Sequence, residues 1–95
     1  MSNNNSEFLG SIRAEIDMVD DQIKDLFEKR MSLSLDVARH KEENHLPVLN
    51  TAREREILAR VTRGQDDEAA GYTRALFSTL FELSRACQSK ALRRK

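Results

Sequence analysis

With no tryptophan, one proline and three glycines in 95 residues, this chain has too few turn formers and aromatics for the hairpins and strands of a sheet protein. A single cysteine, Cys87, excludes an internal disulfide, so no oxidising compartment is required. Its neighbours Leu83, Ala86 and Ala91 suit a small buried hydrophobe better than a nucleophile. No apolar run approaches the length of a membrane span, and Met1 to Ser6 carry no apolar signal region, so a cytoplasmic protein is expected. There is no surplus of either charge: 16 basic and 16 acidic residues cancel, which weighs against nucleic-acid binding. Arg93, Arg94 and Lys95 are too few and too terminal to change that. No metal-ligand or cofactor motif is present.

What remains is a chain with 39% apolar and 34% charged residues, a composition that suits an all-α protein of one domain. Residues 1–5 read as a disordered lead and 6–95 as a single helical domain. Ser6 can cap a long first helix running to about Glu43, and Asn44 to Leu49 form a connection in which Pro47 bars helix continuation. A shorter helix starts at Asn50 or Thr51 and ends near Gly64, a natural residue just past a helix terminus. Asp66 or Asp67 can cap a third, whose apolar side carries Tyr72, Leu76, Phe77, Leu80, Leu83, Cys87 and Ala91.

The first helix holds the main anomaly. Ile12, Ile16, Val19, Ile23 and Leu26 alternate by four and three, and Leu33 and Val37 resume the pattern after a gap. Arg30 fills that gap, and the step after Val37 lands on Lys41. A cation on a core-facing stripe is costly unless an anion meets it there. Arg30 could be a specificity residue of a helical interface, or pair with a carboxylate such as Glu28. Lys41, near a helix end, could reach out to solvent or interact with the helix dipole. The stripe is also too long for the remaining 40 or so residues to cover. The expected solution is a homodimer in which two long helices pack along each other, each covered by helices of both chains.

Other polar residues fall beside the same seam. Asn50, Arg53, Glu54 and Ile57 share one face by helical spacing, which sets Arg53 and Glu54 flanking the inward side. Glu54 also fits a capping box beginning at Thr51. In the third helix Ser84 and Gln88 stand four residues apart beside Leu80 and Cys87, where ordinary hydrogen-bonded core is the plain alternative. Arg30, Lys41, Arg53, Glu54, Ser84 and Gln88 on one seam would be rich in donors, as a small dianionic ligand requires.

The run Ile12-Arg13-Ala14-Glu15-Ile16-Asp17 followed by Glu28-Lys29-Arg30 resembles the first helix of the all-helical chorismate mutases. Lys41 ahead of Pro47, and the segment from Pro47 through Asn50, Arg53 and Glu54 to Glu56, resemble that family's junction between helices one and two. Leu76-Phe77, then Glu82, Ser84 and Gln88, are similar to its third helix. The resemblance covers about residues 6–92. No one piece is specific, but the order and spacing together are.

The resemblance implies an intertwined all-helical dimer that rearranges chorismate to prephenate, on the route to phenylalanine and tyrosine, without cofactor or metal. It implies that Arg13 and Arg30 bind the substrate carboxylates, assisted by Arg53 and Ser84. Lys41 and Gln88 would donate hydrogen bonds to the ether oxygen of the breaking bond, and Glu54 would hold the ring hydroxyl, with Asn50 nearby. The family often carries Asp where this chain has Asn50, which leaves the role of that position open. Arg13 and Arg30 lie 17 residues apart on one helix, about 25 Å along its axis. If both act, Arg13 must serve the partner's site. Two rivals stand: an isochorismate–pyruvate lyase of the same fold, and a non-catalytic helical dimerisation or regulatory module.

Overall fold

The computed structural model describes residues 3–93, with side chains from residue 5 to residue 92. These residues form three α-helices and, among them, no strand: α1 (Asn3–Glu43), α2 (Thr51–Val61) and α3 (Asp67–Arg93). The chain divides after Ser32 into two compact units, Met1–Ser32 and Leu33–Lys95.

The first unit is the N-terminal part of α1. The helix begins at Asn3, ahead of the Ser6 cap expected from the sequence, and so takes in residues assigned there to a lead; Met1 and Ser2 lie outside the described residues. Asn and Ser cost a helix only a few tenths of a kcal/mol each relative to better formers, too little to stop it at Ser6. Within this unit no described side chain is buried, and Phe27, Arg30 and Met31 are half-buried. The apolar steps stand in solvent: Ile16 is 51% exposed, Ile23 58% and Leu26 66%.

The second unit holds the end of α1, then α2 and α3. The termination of α1 is local chemistry. His45 takes a left-handed backbone, φ 57°, its N–H donates to the Glu42 carbonyl (3.1 Å), and the Leu46 N–H reaches back to the Lys41 carbonyl (2.7 Å). That pair of bonds is a Schellman motif, normally built around glycine. Pro47 follows and keeps the chain from re-entering a helix. Asn50 then caps α2, its side-chain oxygen accepting the Arg53 N–H at 3.0 Å. Because the cap is Asn50, Glu54 falls one position beyond the reach of a capping box, and the box expected from Thr51 does not form.

At the far end of α2 the Thr62 hydroxyl donates to the Leu58 carbonyl at 2.7 Å. Thr62 is the C-cap and Gly64, with φ +81°, turns the chain two residues further on. Asp66 caps α3 by accepting the Ala69 N–H at 2.8 Å, and Asp67 and Glu68 occupy the first turn, where the helix dipole favours anions.

The core of this unit is small: Ala38, Ile57, Ala70 and Phe81 are buried, with Ser84 as the buried polar residue among those described. α2 and α3 pack on each other, and Phe77 meets Phe81 edge-on at 6.3 Å between ring centres. Along α3, Ala70, Phe81 and Ser84 are buried, and Phe77, Leu80, Cys87, Gln88 and Ala91 are among the half-buried residues. Of the stripe read from the sequence, Phe77, Leu80, Cys87 and Ala91 are half-buried, while Tyr72, Leu76 and Leu83 are exposed in the single chain. The apolar residues of α3 span an arc wider than one neighbouring face can cover. Among the described residues no helix is long and apolar enough to cross a membrane.

Candidate functional site

Within the second unit, four of the residues singled out in the sequence engage partners far away in the chain or across a turn. The Gln88 amide donates from Nε2 to the Ser34 carbonyl at 2.8 Å, tying α3 to the end of α1. Ser34 Oγ lies 3.4 Å from Ser84 Oγ, with Ser84 buried. A side-chain amide has two N–H bonds; one is committed to Ser34, which fixes the plane of the group, and the other remains available to a ligand. The bond thus holds Gln88 as an oriented neutral donor.

Lys41 reaches across the Schellman turn, its Nζ donating to the Val48 carbonyl at 3.4 Å. The turn is what makes that contact: it folds the chain back so that a carbonyl seven residues on comes level with the ammonium. Lys41 is half-buried as a residue, and its ammonium has three donors, of which this long bond takes one.

Glu54 pairs across the helices with Arg85, Arg85 Nη1 donating to Glu54 Oε2 at 2.5 Å, with the carboxylate side chain 27% exposed. Arg85 is not selected by the sequence pattern. It stands one residue, about 100°, round the helix from Ser84, off the seam, and its partner is 31 positions away. A basic residue three before Gln88 was the available signal, but nothing local pointed it at Glu54. An open recess of about 270 Å³ is lined by Val48, Leu49, Arg85, Gln88, Ser89 and Leu92. It joins the connection after α1 to the last turns of α3 and carries an apolar wall, a cation and an amide.

Two assignments change. Arg53 does not turn to the inward seam: its side chain is 58% exposed and pairs with Glu56 at 3.2 Å on the surface of α2. As the third residue of the helix it gives its backbone N–H to the cap and its guanidinium to the next turn, an i,i+3 pair that helical spacing favours. Asn50 is engaged structurally, its side-chain oxygen accepting that N–H, which leaves its amide nitrogen and one further acceptor position for a ligand.

In the first unit Arg13 is exposed and Arg30 half-buried. Both lie on α1, and the helix keeps them about 25 Å apart, beyond the span of one small molecule. Among the described residues, no group of three or more His, Cys, Asp or Glu is placed to hold a metal ion. Cys87 is a free, half-buried thiol.

The family model described as chorismate mutase type II matches residues 12–89. No curated protein and no solved structure matches the chain. The matched stretch contains Arg13, Arg30, Lys41, Asn50, Arg53, Glu54, Ser84 and Gln88, together with all of α2 and most of α1 and α3. A match over so much of the chain, on a fold of three helices with the spacing of cations and amide described above, places the protein: it belongs to the chorismate mutase type II family.

Proposed function

We propose that the protein is a chorismate mutase acting as a homodimer with two shared sites, converting chorismate to prephenate. The observation that carries this reading is that the family match takes in every candidate residue from Arg13 to Gln88. The reaction is a unimolecular [3,3] rearrangement, in which the ether C–O bond breaks as a C–C bond forms. It requires no nucleophile, base or metal. Catalysis consists of holding the enolpyruvyl arm over the ring and stabilising the charge that grows on the ether oxygen.

The roles follow from the donors. Arg30, and Arg13 of the other protomer, clamp the two carboxylates, with Ser84 assisting. Lys41 and the free N–H of Gln88 donate to the ether oxygen, and the interaction strengthens as that oxygen gains charge. An acceleration of roughly 10⁶-fold needs about 8 kcal/mol of transition-state preference, which a fixed ammonium and an oriented amide in a water-poor site can supply. Glu54 accepts the ring hydroxyl. Arg53 assists with a carboxylate once its surface pair with Glu56 opens, and Asn50 acts chiefly by capping α2.

Dimerisation is supported by the apolar steps of α1, each exposed in the single chain from Ile12 at 38% to Leu26 at 66%. Removing a half-exposed aliphatic side chain from water is worth about 1 kcal/mol, so a second copy of the stripe gives each chain a sizeable gain. A lone chain would display an unusually long apolar surface.

Incubation with chorismate and, separately, with isochorismate tests the assignment. Prephenate formed from chorismate supports it. Pyruvate released from isochorismate, with chorismate left untouched, would assign the lyase reaction instead, and no turnover of either would leave a non-catalytic helical dimer.

A further inference from the structure

The ion pair between Arg85 on α3 and Glu54 on α2 has no part in the roles above. We infer that Arg85 is a positioning residue: it holds one oxygen of the Glu54 carboxylate so that the other stays aimed at the ring hydroxyl of the substrate. This rests on the proposed reading of Glu54 as the hydroxyl acceptor.

Three observations carry it. Glu54 is not held by the helix terminus, because Asn50 supplies the cap and takes the Arg53 N–H. Its carboxylate therefore depends on a tertiary partner for its orientation, and the partner is Arg85 Nη1 on Oε2 at 2.5 Å. One oxygen is engaged, and the carboxylate still has acceptor sites on Oε1.

Arg85 also lines the recess that holds Gln88, so a single side chain joins the hydroxyl acceptor to the wall that carries the ether-oxygen donor. Finally, the pair is a poor stabiliser. Arg85 is 42% exposed and Glu54 27%, and exposed ion pairs contribute little to folding after side-chain ordering and screening. Its loss should leave the fold nearly as stable and show itself in substrate handling.

The geometry also says why arginine serves here. The contact is a single Nη1–Oε2 bond made from a planar guanidinium, whereas lysine would make it with a point charge on a flexible stem. Lysine at this position keeps attraction and loses part of the aim.

The test compares wild type, Arg85→Met, Arg85→Lys, Glu54→Gln and the Arg85→Met/Glu54→Gln double variant in chorismate turnover, with thermal midpoint and dimer mass recorded for each. A contact to the ring hydroxyl made equally in ground and transition states appears in KM. Arg85→Met should therefore raise KM about tenfold, the scale of one charge-assisted hydrogen bond, with kcat within about twofold and the thermal midpoint close to wild type. Arg85→Lys should recover most of the loss. In the Glu54→Gln background, Arg85→Met should add less than about twofold, because a residue acting through Glu54 has nothing left to position.

Three results would overturn the inference while the wild type remains active: KM unchanged in Arg85→Met, a full additional loss in the double variant (Arg85 then touches substrate itself), or a loss that follows a lowered thermal midpoint and is not rescued by lysine. A wild type that leaves chorismate unconverted would remove the proposed function, and this inference with it.

Discussion

The two units of the chain use the same residue vocabulary in opposite ways. In the first unit apolar side chains recur at helical spacing and none of those described is buried, whereas the second buries Ala38, Ile57, Ala70 and Phe81 and ties its helices together through Gln88, Ser34, Glu54 and Arg85. The second unit carries a small core and most of the polar groups assigned to chemistry. The first carries a surface that makes sense when another chain covers it, with Arg13 standing on that surface. In the proposed dimer the segment that would hold the subunits together is also the one that would complete their sites. Here the apolar steps and Arg13 share one helix.

The largest effect expected is from placing a charge on the stripe of the first unit. Ile23→Asp should abolish the dimer and with it all chorismate turnover, because a buried unpaired carboxylate costs several kcal/mol at each of two symmetry-related positions. Sedimentation and activity measured on the same sample check it; a fully active, dimeric variant would mean the stripe is not the interface.

A change in the second unit should behave differently. Lys41→Ala should leave a folded dimer and lower kcat by roughly 10²-fold or more, the scale of losing one donor to a developing oxyanion. Steady-state kinetics beside a circular dichroism melt separate this from unfolding, and a fall confined to stability would return Lys41 to a structural role.

Gln88→Glu sharpens the same point by pH. The neutral carboxylic acid can donate to the ether oxygen and the carboxylate cannot, so activity should rise as pH falls through the pKa of the new Glu, about 4.3 when unperturbed. Wild type should lack that rise. A variant with no added pH dependence would make Gln88 merely a tie between α3 and Ser34.

The smallest effect concerns stability alone. His45 holds a left-handed backbone, φ 57°, which glycine adopts without steric cost, so His45→Gly should stabilise the second unit by about 0.5–1 kcal/mol. A thermal melt reads it, and a lowered midpoint would mean that the imidazole contributes more than the backbone strain removes.

The features legible in the sequence were those decided within a few residues. Pro47, Asn50 and Asp66 mark ends and caps by local chemistry, and α1 stops at Glu43 as expected. α1 starts at Asn3 and not after Ser6, since the small preference of Ser6 for a cap does not end a helix that polar residues can continue. Long-range partners left no local trace: Glu54 with Arg85 and Gln88 with Ser34 bridge 31 and 54 positions. The apolar pattern of α3 marks Phe77, Leu80, Cys87 and Ala91, which are half-buried, along with Tyr72, Leu76 and Leu83, which are exposed in the single chain. Tyr72, Leu76 and Leu83 are apolar, but whether such residues are covered depends on a neighbour that periodicity does not name. Arg53 lay on the expected face by spacing, yet its pairing with Glu56 (3.2 Å) holds it at the surface.

The central claim is that the first unit of one chain completes the site built on the second unit of another. Mixing two inactive variants tests it most directly: Arg13→Ala and Lys41→Ala, each expected to be a folded dimer, unfolded together and refolded as a mixture. A mixed dimer has one site with both mutations and one with neither. With random pairing, activity should return to about a quarter of wild type. If Arg13 and Lys41 instead served a site within one chain, every site in the mixture would still lack one of them, and activity would not return.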